Sequence, residues 1–200
     1  MGFFPTEPPE PRAEDGDEEW LAYARFEGHT VPGAVPEPVV VAATPLVTVI
    51  ATLTVADDEL GVTWHTICRR VPTGPAADQL ALREVARRGP LPDEFLRLGI
   101  AYADGRTATN LPWEDADELD EDEELDPDRL RWRTRGGSGT PTVATTSVVV
   151  APGPDAGPVT LVCEWPALGV AEHRATVPHD VLDRARLLAI SVEPLEDEPA

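Results

Sequence analysis

The chain has 200 residues, the length of one domain with tails, and its 16 Lys+Arg against 37 Asp+Glu give a formal charge of −21. Residues 1–20 contribute −6, 113–128 contribute −11 and 193–200 contribute −4, while the remaining fifteen acids are balanced by fifteen arginines. A neutral body with acidic appendages excludes a basic face for nucleic acid and steering toward anionic membranes.

Met1 to Glu7 lack the basic and apolar regions of a secretory signal. The two cysteines, Cys68 and Cys163, make no disulfide framework, and a soluble cytoplasmic protein with free thiols is expected. Residues 1–38 read as a mostly disordered acidic, Pro-rich tail, because such a composition buries too little apolar surface to offset the entropy of ordering. Within it, Trp20, Leu21, Tyr23 and Phe26 suit a short hook docked on the body.

The domain is placed at residues 39–192. The apolar-rich run Val39–Ala56 is interrupted by threonines and Pro45 and falls short of the ~20 apolar residues of a membrane helix. From Leu46, Val47, Val49, Ala51, Leu53 and Val55 alternate with threonines, the period-two signature of a half-buried strand. A turn at Asp57–Gly61 leads to a second alternating run, Val62 to Arg69, and together they predict a β-hairpin. Pro75 to Pro90 has Pro near a helix start and Gly then Pro at the stop, with a thin stripe of Leu82, Val85 and Ala86. That pattern suits a short helix over one end of a sheet.

Phe95 to Tyr102 alternates again with Leu96, Leu98, Ile100 and Tyr102 inward, and Ala103-Asp104-Gly105-Arg106 forms a tight turn. The acidic insertion 113–128 and the run Gly136-Gly137-Ser138-Gly139, read as a flexible loop, precede a strand at Val143–Val150. A last hairpin is predicted from Val159–Trp165, a turn at Pro166–Gly169, and Val170–Val177. Pro178-His179-Asp180 then starts a helix with Val181, Leu182, Ala185 and Leu188 on one face, and residues 193–200 form an acidic tail. Six or seven short strands, two brief helices and no βαβ alternation predict a mainly β fold: one antiparallel, immunoglobulin-like β-sandwich with disordered acidic tails.

Two blocks, Phe95 to Asn110 and Val159 to Glu172, resemble a family of uncharacterised actinobacterial proteins. Its members share a strand ending in Ala-Asp-Gly-Arg, a variable Gly-rich loop, and a late strand ending in Glu-Trp-Pro before a Gly turn. The likeness covers roughly residues 39–192; it implies a single small β-rich domain and transfers no catalytic residue.

The residues offer little catalytic chemistry. There are three serines, and Gly136-Gly137-Ser138-Gly139-Thr140 misses the nucleophile elbow at its last position. The same stretch has no lysine and is no P-loop. Cys68 and Cys163 fall on inward faces and read as core thiols; an immunoglobulin-style bridge is the alternative if their strands face each other. His29, His65, His173 and His179 show no metal-ligand spacing, and no cofactor or metal is expected. The insertion fails the calcium-loop pattern, with Leu119 and Asp120 at its fifth and sixth positions.

Four residues stand out as a binding rim: Asp104 and Arg106 in the turn, and Glu164 and Trp165 at a strand end, Trp being enriched in binding hot spots. The structural alternative makes Trp165 a core-closing residue and Glu164 a cross-strand partner of Arg174. Arg129, Arg131, Arg133 and Arg135 around Trp132 either neutralise the insertion or guard an edge strand. The expectation is a non-enzymatic cytoplasmic module that contacts another protein. One alternative is an enzyme whose site forms between strands without a motif, drawn from His65, His173, Asp104, Arg106 and Glu164. Another is weak binding of cations or a basic partner by the acidic insertion.

Overall fold

The computed structural model describes residues 2–3, 29–56, 58–77, 79–87, 89–111 and 129–192. The hook at 18–26, the acidic insertion and the C-terminal tail lie outside them. Along the chain run β1 (His29–Val31), β2 (Gly33–Ala34), β3 (Val39–Ala43), β4 (Val47–Val55), β5 (Leu60–Cys68), α1 (Gln79–Arg87), β6 (Arg97–Tyr102), β7 (Thr107–Thr109), β8 (Arg131–Thr140), β9 (Val143–Ala151), β10 (Val159–Trp165), β11 (Val170–Val177), α2 (His179–Arg186) and β12 (Ile190–Val192).

The strands form an antiparallel β-sandwich, as the alternation predicts. One sheet has the order β2-β4-β5-β9-β8, with β3 also pairing β4; the other has the order β11-β10-β6-β7; β1 and β12 make a separate ribbon. The two expected hairpins form in register, Ala51 opposite Trp64 in one and Leu161 opposite Ala175 in the other. The inward set of β4, from Val47 to Val55, is at most 1% exposed. Each Val and Leu of that set contributes about 1.5–3 kcal/mol by burial. Among the described residues Trp64 and Trp132 are the largest fully buried side chains, and both belong to this central core.

The smaller sheet is covered on both faces. Val159, Leu161, Cys163 and Trp165 enter the core between the sheets. On the outer face, Val162 joins a second cluster with Leu82 and Ala86 of α1, Leu91, Phe95 and Leu111, against which Phe3 packs. Leu82 and Ala86 of the thin stripe therefore lie on a sheet face, not over its end, whereas Val85 is exposed.

Structure also begins earlier than residue 39. β1 pairs with β12, which closes the two ends of the domain on each other, and β2 pairs with the end of β4. Such two- and three-residue strands are too short to show periodicity. The glycine run is not a loop: it is the second half of β8, paired with β9 through a bulge between Thr134 and Gly136. A Cβ on Gly137 or Gly139 would lie 2.9 or 3.0 Å from a β9 carbonyl oxygen, so glycine serves close backbone approach here. β8 is an edge of its sheet, with Trp132 inward and arginines on either side, in line with the charge-guarded edge. In α2, Leu182 and Ala185 are buried as predicted, whereas Leu188 lies beyond the helix end and is exposed.

Candidate functional site

Asp104 and Arg106 flank Gly105, whose φ of +95° is the left-handed conformation the turn requires. The Asp104 carboxylate accepts hydrogen bonds from the Arg106 backbone N–H (2.9 Å) and from its Nε (2.7 Å). The backbone bond, reinforced by the guanidinium, holds the Asp104 carboxyl below the usual range. The Arg106 guanidinium lies 5.6 Å from the Tyr102 ring centroid and 3.6 Å from the Asp155 carboxylate. These contacts lock the turn.

Glu164 and Trp165 sit at the opposite end of the same sheet. Glu164 accepts from Arg97 Nη1 at 2.7 Å; Arg97 is buried and also donates to the Pro92 carbonyl at 3.5 Å. Glu164 therefore pairs with Arg97 across β6, not with Arg174 across β11; Arg174 pairs instead with Glu172 on its own strand, at 2.7 Å. Trp165 is 3% exposed and its indole N–H donates to the Glu94 carbonyl at 2.7 Å. The Tyr102 and Arg97 ends of β6 are five residue steps apart, roughly 17 Å at strand spacing. The structure thus separates the predicted rim into two pairs, each engaged within the domain.

Two amides that sequence reasoning passed over organise the Arg97 end. Gln79 Oε1 accepts from Leu96 N–H (2.8 Å) while its Nε2 donates to the Glu94 and Ala76 carbonyls. Asn110 accepts from Leu98 N–H and donates to the Leu96 carbonyl, both at 2.8 Å. They complete backbone hydrogen bonding on the side of β6 where the chain extends past its pairing with β7. No spacing marks an isolated Gln or Asn for this role.

His65 and His173 stand on different sheets. A cleft of about 210 Å³ is lined by Thr107, Ala108, Thr109, Arg129, Leu130 and Trp132, and includes none of the five residues named for a site between strands. Among the described residues no cluster of three His, Cys, Asp or Glu side chains is placed to hold a metal, and no helix is long and apolar enough to cross a membrane.

Cys68 and Cys163 are free and buried. Burial pushes both thiols up, that of Cys163 to about 12, with the neighbouring Glu164 charge adding to the rise. In the folded protein Cys163 is expected to resist a thiol reagent at mildly alkaline pH, and in denaturant both thiols are expected to react. Rapid native-state modification of Cys163, read by mass spectrometry, would contradict its burial.

The outer face of the six-stranded sheet has a different character. Its rows follow from the register: Val40 beside Ile50, then His65, Thr145 and Ser138; and Thr52 beside Thr63, Ser147 and Gly136. No Asp or Glu occurs in β2, β3, β4, β5, β8 or β9. Val40, Ile67 and Val143 are exposed on it. An acid-free surface of threonine and β-branched apolar residues, with His65 within it and Arg131 and Arg133 on its β8 edge, thus exists on a chain of charge −21. No protein-family model, curated protein or solved structure matches the chain.

Proposed function

We propose that the domain is a non-enzymatic, cytoplasmic protein-interaction module whose contact surface is the outer face of the six-stranded sheet, and that the partner is a second copy of the chain. The acid-free composition of that face carries the reading. It is where two highly acidic chains meet without desolvating unpaired carboxylates. A twisted sheet packs well on another of the same twist, and a two-fold axis lets one face serve both partners. Five strand positions and nine-residue strands cover ~24 Å by ~30 Å, about 700 Å². This approaches the ~800 Å² per partner of a standard stable interface.

The test is sedimentation of the full chain over a concentration series, beside Thr63→Arg. Thr63 lies mid-face and bonds only outward, Oγ1 to Ser147 Oγ at 3.1 Å, so the variant keeps the core intact. The wild type is expected to dimerise, more tightly as salt screens the repulsion of the acidic segments. Thr63→Arg is expected to weaken association at least ~tenfold, because its charge is buried twice in the dimer. A wild-type chain that stays monomeric, or an arginine variant that dimerises equally well, overturns the proposal.

A further inference from the structure

On the outer face of the smaller sheet, one row of the register runs Arg174, Val162, Gly99, Thr109 across β11, β10, β6 and β7. Glycine in mid-strand is normally unfavourable, since it is flexible when unfolded and packs nothing. Gly99 does not have a positive φ to justify it. Its reason is the ring of Phe3: a Cβ at Gly99 would collide with Cε1 and Cζ of that ring. The other sides are equally specific. The Phe3 backbone N–H donates to Glu172 Oε2 at 2.7 Å. The Arg174 guanidinium stands 5.8 Å from the ring centroid and is itself fixed by two bonds to Glu172 Oε1. Phe3 packs against the apolar cluster that contains Val162, Phe95 and Leu111.

We propose that Gly99, Glu172, Arg174 and Val162 form a socket for a peptide segment carrying phenylalanine, filled in cis by Phe3 and able to take the same segment in trans. The floor accepts the ring, the guanidinium contributes a cation–π contact, and the carboxylate reads the backbone N–H beside the ring. A side chain without an aromatic ring leaves the floor uncovered, and proline in place of phenylalanine removes the donated N–H. The site therefore selects an aromatic residue that also has a backbone N–H to donate. It lies on the other sheet from the self-association face and does not depend on it.

The test uses full-length Phe3→Ala, in which the socket is empty, and a labelled peptide of residues 1–8 read by fluorescence anisotropy. The peptide is expected to bind Phe3→Ala and to bind the wild type at least ~tenfold more weakly, because a tethered segment competes at millimolar effective concentration. A control peptide with alanine at position 3, which keeps Phe4, is expected not to bind. In the Phe3→Ala background, Gly99→Ala and Glu172→Gln are each expected to reduce binding at least tenfold. The second variant alters no buried packing and separates loss of the socket from loss of the fold. Equal binding to wild type and Phe3→Ala, binding of the control peptide, or no binding to Phe3→Ala at millimolar peptide overturns the proposal.

Discussion

Trp165→Ala is expected to lower the free energy of unfolding by about 4 kcal/mol, the larger of the two leading effects. Two losses combine. The side chain is 3% exposed and belongs to the core cluster, so its removal leaves a cavity at the end of β10, where the register with β11 shifts. It also removes the indole donor from the Glu94 carbonyl and loosens the segment that enters β6. Trp165→Phe separates the two, since it keeps most of the packing and loses the hydrogen bond, at about 1–2 kcal/mol. Urea denaturation measures both. A loss below about 1 kcal/mol for the alanine variant would return Trp165 to the role of a binding rim.

Glu164→Ala is expected to cost about 2–3 kcal/mol. Arg97 is buried, and without Glu164 its charge keeps only the Pro92 carbonyl and the exposed Asp93, at 3.5 and 3.6 Å. Breaking a fully buried pair costs about 3–5 kcal/mol; Glu164 retains partial access to water, which reduces the loss. Replacing both partners, as Arg97→Met with Glu164→Leu, is expected to recover most of the stability, because no unpaired charge is left in the sheet. Asp180→Ala is the exposed comparison: its 3.3 Å contact with Arg184 lies in solvent, and a change within about 0.5 kcal/mol is expected. If the double variant is as unstable as Glu164→Ala, the pair is not what joins β6 to β10.

The parts of the fold legible in the chain are those where one face is buried and the other is not. β4 and β5 alternate almost without a break over nine residues, the inward set buried and the outer set at least partly exposed. β10 is less legible because Val162 is buried as completely as Leu161: its sheet is covered on both sides, and periodicity carries no sign of the second layer. The glycine run of β8 reads as a loop in the sequence because composition does not distinguish glycine for mobility from glycine for close approach. The partner of Glu164 is not legible because β10 has a strand on each side, and strand order decides whether Glu164 meets Arg97 or Arg174.

The candidate surfaces were the least legible. The four rim residues attract notice as charged or aromatic side chains near turns, the same types that a sandwich uses to lock its ends. The outer face of the six-stranded sheet is made of the ordinary polar half of each alternation, and Gly99 and Phe3 are 96 positions apart. Only the assembled sheets turn threonines, a glycine and an N-terminal aromatic into surfaces. The exposed apolar side chains Leu187, Leu188 and Ile190 at the α2–β12 end are a competing place for a partner.

A dilution series followed by methyl NMR separates these places most directly. Dimerisation through the six-stranded sheet predicts concentration-dependent shifts at Ile50, Ile67 and Val143, with Leu188 and Ile190 unchanged. Shifts confined to Leu188 and Ile190, or none at any concentration, would contradict the assignment of that face as the contact surface.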